Sequence, residues 1–136
     1  MANTFHLKIA TLDGSIFDGE AEKLLVRTID GDVCILPGHI GYVTAVGMGE
    51  ARVYAGGEVK SAACIGGLLT VNDNEVRLVP TTFEWADEID LKRAERAREA
   101  AEKALKDRAN RSNYEITAAE ARLKRALVRS SVAKLF

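Results

Sequence analysis

Short stretches of alternating apolar and polar residues fill the first half of the chain. They lie at residues 5–9, 24–29, 33–36, 52–55 and 76–79. Because successive side chains of a β-strand point to opposite faces, each stretch has one face for a core and one for solvent. The pattern predicts about ten short strands in an all-β sandwich or flattened barrel.

Turn residues separate these stretches. They are Asp13-Gly14, Asp30-Gly31, Gly56-Gly57 and residues 72–74. Glycine, asparagine and aspartate tolerate the positive φ that tight hairpins require. Another pair, Gly66-Gly67, stands inside an apolar run, where it indicates a bulge or a close approach of two backbones.

The hydrophobic period changes to that of a helix after Pro80. All 11 glycines precede this point, so nothing beyond it breaks a helix. Residues 90–107 repeat apolar side chains at helical spacing and predict a first helix. These side chains are Leu91, Ala94, Ala97, Ala101, Ala104 and Leu105.

A second helix is predicted after Ser112, which forms a capping box with Glu115. Its apolar face consists of Ile116, Ala119, Leu123, Ala126 and Leu127. Residues 108–113 are the turn between the helices, so we expect an antiparallel αα-hairpin.

Charge divides the chain at the same place. Residues 1–87 carry 6 Lys and Arg against 12 Asp and Glu, a net −6, and residues 88–136 carry 13 against 8, a net +5. We therefore predict a β-sandwich domain at residues 1–86 and a helical hairpin at residues 87–136.

The predicted hairpin has an apolar face made mostly of alanine. At a well-packed site an alanine contributes about 2 to 5 kcal/mol less than a leucine. We therefore expect a hairpin that is held weakly and is mobile, although a static helical cap on the sandwich fits the composition as well.

Several function classes are excluded. No run approaches the roughly 20 apolar residues of a transmembrane helix, and the N-terminus lacks the layout of a secretion signal, so we expect a cytosolic protein. Cys34 and Cys64 lack metal-ligand spacing, and we interpret both as buried apolar residues. No phosphate-binding loop, zinc-protease motif or nucleophile elbow is present, and neither His6 nor His39 can be paired with a nucleophile. We expect a protein without catalytic residues or a metal site.

Specific motifs resemble the ε subunit of F-type ATP synthases, bacterial type. Residues 35–39 (Ile-Leu-Pro-Gly-His), 43–45 (Val-Thr-Ala) and 49–53 (Gly-Glu-Ala-Arg-Val) are similar to the family's core pattern. Gly66-Gly67, Val71 and residues 74–79, 86–94 and 125–133 are similar to its later motifs. The resemblance covers nearly the whole chain in the family's order.

This resemblance implies a ten-stranded sandwich that binds the γ subunit and the c-ring of the rotor, with Pro37, Gly38 and His39 as a partner-contact turn. It implies a hairpin that inhibits ATP hydrolysis when it extends toward the α/β catalytic head. The chain would be a non-catalytic, peripheral subunit at the cytoplasmic face of the plasma membrane, with no insertion into the membrane and no nucleic-acid partner.

Some members of the family bind ATP on the folded hairpin through the motif Ile/Leu-Asp-x-x-Arg-Ala. The residues that match the motif and its companions here are Glu84, Ile89, Asp90, Arg93, Ala94, Arg125 and Arg129. By this resemblance, folding would bring three guanidinium groups to a triphosphate, with two carboxylates accepting hydrogen bonds from adenine or ribose. ATP would be a regulatory ligand, without an obligatory cofactor and without a need for Mg²⁺.

Three other interpretations stay open. The arginines could form a solvated basic face that meets acidic loops of the catalytic subunits. A nucleic-acid adaptor would use the hairpin's positive charge, but acidic residues are interleaved with it and aromatic residues are scarce. A free-standing small-molecule binding domain would run as a monomer without affinity for a γ subunit.

Overall fold

Eight β-strands form the first of two structural units. The computed structural model describes residues 3–134; within them the first unit ends at Trp85 and the second begins at Ala86. The ends of both predicted domains, residues 1–2 and 135–136, lie outside the described residues. The strands are β1 (Phe5–Thr11), β2 (Gly14–Ala21), β3 (Lys23–Thr28), β4 (Gly31–Ile35), β5 (Tyr42–Ala45), β6 (Met48–Ala55), β7 (Glu58–Asn72) and β8 (Glu75–Trp85).

The strands pair in the order β2-β1-β8-β7-β6-β3-β4, and β5 pairs with β7. All pairs are antiparallel except β1 with β8, which is parallel. The predicted alternation is visible on β1, where Phe5, Leu7 and Ile9 are fully buried. Each such side chain contributes about 1.5–3 kcal/mol when it leaves water. The expected β-sandwich followed by a helical hairpin is confirmed.

The described residues contain eight strands rather than about ten because β7 and β8 are long. β7 has 15 residues and β8 has 11. The first part of β7 pairs with β6 and its last part with β5, while β8 follows both parts. One strand therefore serves where separate strands were expected.

Gly66 and Gly67 lie where β7 changes partners, and both have positive φ. A Cβ on Gly67 would lie 2.2 Å from the Val79 carbonyl oxygen and 2.5 Å from the Pro80 Cα, both in β8. Real side chains do not approach a backbone this closely. The sequence-based expectation of a close backbone approach is confirmed.

His6 joins three strands through its imidazole ring. Its Nδ1 lies 2.7 Å from Glu75 Oε2 on β8, and its Nε2 lies 2.5 Å from Asp18 Oδ1 on β2. When both ring nitrogens donate, the ring is protonated, and its hydrogen bonds to the Glu75 carboxylate and then to the Asp18 carboxylate raise the pKa of His6. The residue thus fastens β1 between its two neighbours.

The prediction that both cysteines are buried is wrong for one of them. Cys64 is buried, and desolvation raises the pKa of its thiol to about 12, which makes it a poor nucleophile. Cys34 is exposed. It occupies an outward position of β4 next to the buried Ile35, so the alternation of the strand decides its exposure.

The second unit begins with the 3₁₀ turn Ala86–Glu88 and continues with two α-helices. The helices are α1 (Leu91–Lys106) and α2 (Asn113–Ala133), with the 3₁₀ turn Arg108–Asn110 between them. Ser112 Oγ accepts the Glu115 N–H at 3.2 Å, as the capping box predicts. The Glu115 carboxylate lies instead 3.7 Å from Arg111 Nη1.

Alanines dominate the buried positions of the hairpin, but not all the predicted ones. Ala94 and Ala101 on α1 are buried, whereas Ala97 is exposed. Leu127 of the predicted α2 face is 46% exposed. Positions seven residues apart return to the same side of a helix, and Arg98 stands between Ala94 and Ala101 on that side. The buried stripe therefore follows residues 94, 98 and 101.

Replacing Gly67 by alanine should destabilise the sandwich by more than about 4 kcal/mol, because the added Cβ would overlap the backbone of β8. Gly57 also has positive φ but open space around it, so Gly57→Ala should cost only about 1–2 kcal/mol. Urea unfolding midpoints of the two variants and the parent chain check this prediction. Equal losses at the two glycines would contradict it.

Candidate functional site

A tight turn connects β4 to β5. Its His39 N–H donates to the Leu36 carbonyl oxygen at 3.1 Å, and Gly38 has a φ of 80°. Proline at the second position and a glycine with positive φ at the third are characteristic of a type II β-turn. The three residues predicted to contact partners, Pro37, Gly38 and His39, are therefore the body of this turn.

Apolar side chains stand exposed on both sides of the turn. Leu36 is 49% exposed and Ile40 is 79% exposed. The His39 side chain is oriented from within, since its Nδ1 lies 2.7 Å from the Ile40 carbonyl oxygen and its ring lies 5.8 Å from that of Tyr42. A neutral ring protonated on Nδ1 would donate this hydrogen bond and leave Nε2 as an acceptor. The turn thus presents an ordered surface that is partly apolar.

The motif Ile89, Asp90, Arg93 and Ala94 forms the start of α1. Asp90 is the N-cap, and its Oδ1 accepts the Arg93 N–H at 3.1 Å. Ala94 is buried, Ile89 is half-buried, and the Arg93 side chain is exposed. The spacing of the motif therefore has a structural explanation of its own, because an Asp three residues before the Arg caps the helix.

Arg125 and Arg129 lie near the end of α2, and both are half-buried. An ion pair of 3.5 Å between Lys134 Nζ and Glu95 Oε1 joins this end of α2 to the start of α1. The hairpin therefore brings the two arginine-bearing segments to the same end of the unit. The guanidinium groups of Arg93 and Arg125 form no ion pair within residues 3–134.

Glu84 belongs to the first unit. It lies on β8 opposite Ala63 of β7 and is half-buried. The other six predicted nucleotide contacts belong to the second unit.

Sequence reasoning missed two buried polar groups on the hairpin. Arg98 Nη2 lies 2.8 Å from Glu95 Oε2, while the Arg98 Nε is buried without a hydrogen-bond partner among the described residues. Ser130 Oγ is also buried and has no hydrogen-bond partner within residues 3–134. The position of Arg98 could have been found from the sequence, because it lies on the same side of α1 as Ala94 and Ala101. A charged residue is normally expected to face solvent, and the position was therefore overlooked.

Two further kinds of feature are absent from the described residues. No group of three or more His, Cys, Asp or Glu side chains in residues 3–134 could hold a metal ion. Within the same residues, no helix has the length and apolar character needed to cross a membrane.

Comparisons with known proteins identify the family. The profile described as the β-sandwich domain of the ATP synthase delta/epsilon chain matches residues 4–86, and that of its long α-helix domain matches residues 87–134. The chain belongs to the ATP synthase delta/epsilon family. The ATP synthase epsilon chain of Ruminococcus albus is 40% identical over 130 residues, which are 95% of this chain and 96% of the relative. That of Caldanaerobacter subterraneus is 35% identical over 137 residues, 100% and 98% of the two chains.

A solved structure has the same fold. A chain in the cryo-EM structure of the Euglena gracilis mitochondrial ATP synthase, OSCP/F1/c-ring in rotational state 1, gives a TM-score of 0.85. The match covers all of this chain and 84% of that chain at 22% identity, which shows the fold alone. The family confirms the resemblance found in the motifs, and with it a non-catalytic subunit of the ATP synthase.

Removing the Asp90 carboxylate should loosen the first turn of α1. Asp90→Ala loses the acceptor for the Arg93 N–H and should cost about 1 kcal/mol, whereas Asp90→Asn keeps an oxygen at this position and should stay close to the parent. Amide hydrogen exchange at Arg93 should therefore be about fivefold faster in the alanine variant alone. Equal rates in both variants would contradict the capping role.

Proposed function

We propose that this chain is the ε subunit of the central stalk of a bacterial F-type ATP synthase, peripheral at the cytoplasmic face of the plasma membrane. Its sandwich binds the γ subunit and the c-ring, and its hairpin inhibits ATP hydrolysis by the α/β head. The observation that carries this proposal is that the two domain profiles of the family match this chain one after the other, over residues 4–134.

The partner-contact turn supports the role of the sandwich. The exposed Leu36 and Ile40 flank a turn whose backbone is fixed by proline, by glycine and by an internal hydrogen bond. Ordered apolar groups on a surface are what a partner can bury at low entropic cost. We therefore assign Pro37, Gly38 and His39 to rotor contact.

The composition of the hairpin supports the role of a movable brake. Its buried positions are mostly alanine, which gives little area to hold one element against another. α1 has 16 residues and α2 has 21, and helices of about 12–15 residues are near the length at which isolated helices become marginal. The helices can thus survive a change of surroundings, so a ligand or a partner can select the position of the hairpin.

Deleting residues 87–136 should raise ATP hydrolysis by the assembled complex about fivefold or more. A factor of about five is the smallest effect expected from a typical coupling between two sites. Assembly should be unchanged because the sandwich, with its own core, remains. Steady-state hydrolysis is measured on complexes matched for the amount of the truncated and the full-length chain. Unchanged hydrolysis with intact assembly would leave the hairpin without an inhibitory role.

Unpaired cations support ATP as the ligand of the folded hairpin. Arg93 and Arg125 stand at the same end of the unit and neutralise no carboxylate within residues 3–134, so both are available to an anion. A guanidinium group binds phosphate oxygens through two parallel hydrogen bonds. The Asp90 carboxylate keeps Oδ2 for a hydroxyl group while Oδ1 caps the helix. We propose ATP as a regulatory ligand that needs no Mg²⁺.

Isothermal titration of the full chain with ATP should give measurable heat. Arg93→Ala should weaken binding about tenfold or more, the loss expected for one charge-assisted hydrogen bond. Lys124→Ala is the matched control: it removes one positive charge next to Arg125 but from a side of α2 turned by about 100°. No heat with the parent chain would exclude ATP, and equal losses in both variants would favour a nonspecific basic face.

A further inference from the structure

Asn74 joins three segments of the sandwich that are far apart in sequence. Its Oδ1 accepts the Gly38 N–H of the partner-contact turn at 2.8 Å. Its Nδ2 donates to the Thr4 carbonyl oxygen at 3.0 Å. Its own carbonyl oxygen accepts the His6 N–H at 3.0 Å. The partners lie 36 and 70 residues away for the two side-chain hydrogen bonds.

The backbone conformation favours an asparagine, and the two side-chain hydrogen bonds require its amide group. Asn74 has a φ of 65° in the hairpin between β7 and β8, a conformation that asparagine accepts more readily than most residues. Its amide group supplies one donor and one acceptor, and both are used. An aspartate would keep the acceptor for Gly38 but would place a second oxygen against the Thr4 carbonyl. A glycine would keep the backbone and lose both bonds.

We propose that Asn74 is a positioning residue that holds the turn Pro37–His39 in the orientation in which it contacts the rotor. This inference rests on the proposed function, which makes the turn a contact surface. The bond to Gly38 ties the six-residue connection between β4 and β5 to the β7–β8 hairpin, and the bond to Thr4 ties the same hairpin to the start of β1. A contact surface that is ordered before binding loses less entropy on association.

The N-terminal strand takes part in the same arrangement. The residue after Asn74 is Glu75, whose carboxylate binds His6. Residues 74 and 75 together therefore hold the segment from Thr4 to His6 against β8. A shift of this strand would move the Thr4 carbonyl, and the Asn74 amide that orients the turn would lose its donor bond.

Asn74→Gly tests the proposal, with Asp73→Gly as its control. Asp73 is the neighbouring residue in the hairpin, also has positive φ, and its side chain forms no hydrogen bond within the described residues. Both substitutions put glycine into the same turn, and only the first removes the bonds to Gly38 and Thr4. We expect Gly38 amide exchange to quicken about threefold or more in Asn74→Gly alone, from the loss of one hydrogen bond.

Binding of the full-length variants to the γ–c-ring rotor of the parent enzyme gives the functional readout. We expect Asn74→Gly to weaken binding about 3- to 10-fold and Asp73→Gly to match the parent. Asn74→Asp keeps the acceptor for Gly38 and should bind the rotor more tightly than Asn74→Gly. It replaces the glycine variant in this measurement if that variant folds poorly.

A variant of the turn itself separates the inference from the function on which it rests. His39→Ala should weaken rotor binding if the turn is a contact surface. If His39→Ala weakens binding and Asn74→Gly does not, the positioning role is overturned while the proposed function stands. If neither variant weakens binding, the contact role of the turn fails and the inference fails with it.

Discussion

Strand β7 pairs with three other strands, and the close passage of β8 at Gly67 makes this possible. The first part of β7 carries β6 and the last part carries β5, while β8 lies along both. A side chain at residue 67 would occupy the space of the Val79 carbonyl. Because β8 in turn pairs with β1, the order of the sheet from β1 to β6 depends on this contact of two backbones.

The end of the sheet at which β1 and β8 begin is also where the turn after β4 is held. β8 begins at Glu75, immediately after the hairpin that contains Asn74, and β1 runs parallel to it. The start of β1, the start of β8 and the turn after β4 therefore meet at one corner. Hydrogen bonds of His6 and Asn74 connect them, so polar side chains hold this corner together beside the core residues Phe5 and Val76.

Local patterns in the sequence predicted most of the elements but not the long-range contacts. Alternation identified β1, β3, β4, β6 and β8 but not β2, β5 or β7. Turn residues identified the hairpins and Ser112 marked the start of α2, because each of these signals acts within a few residues. The parallel pairing of β1 with β8 and the reach of Asn74 to Thr4 join residues about 70 positions apart, and no local signal encodes them. The β1–β2 pairing shifts its register between Ile9 and Ala10, and no glycine at these two positions indicated the shift.

The two helices of the second unit were predicted correctly, but some of the residues on their buried faces were not. An alanine is compatible with either a buried or an exposed position, so a run of alanines does not decide which side faces inward, and Ala97 was assigned to the wrong side. Arg98 was missed because a charged residue usually faces water, although its long apolar stem can cover a helix surface. Exposure in such a hairpin is decided by packing rather than by residue type.

In the proposed ATP site, the Asp90 side chain would serve both folding and binding. Asp90 Oδ1 caps α1 by accepting the Arg93 N–H, and this bond exists only when the first turn is formed. The same turn sets the direction of the Arg93 side chain, so the proposed phosphate contact is available only in the capped helix. A ligand that uses Arg93 and the free oxygen of Asp90 would thereby favour the folded first turn, and the stability of that turn would in turn set part of the ligand's affinity.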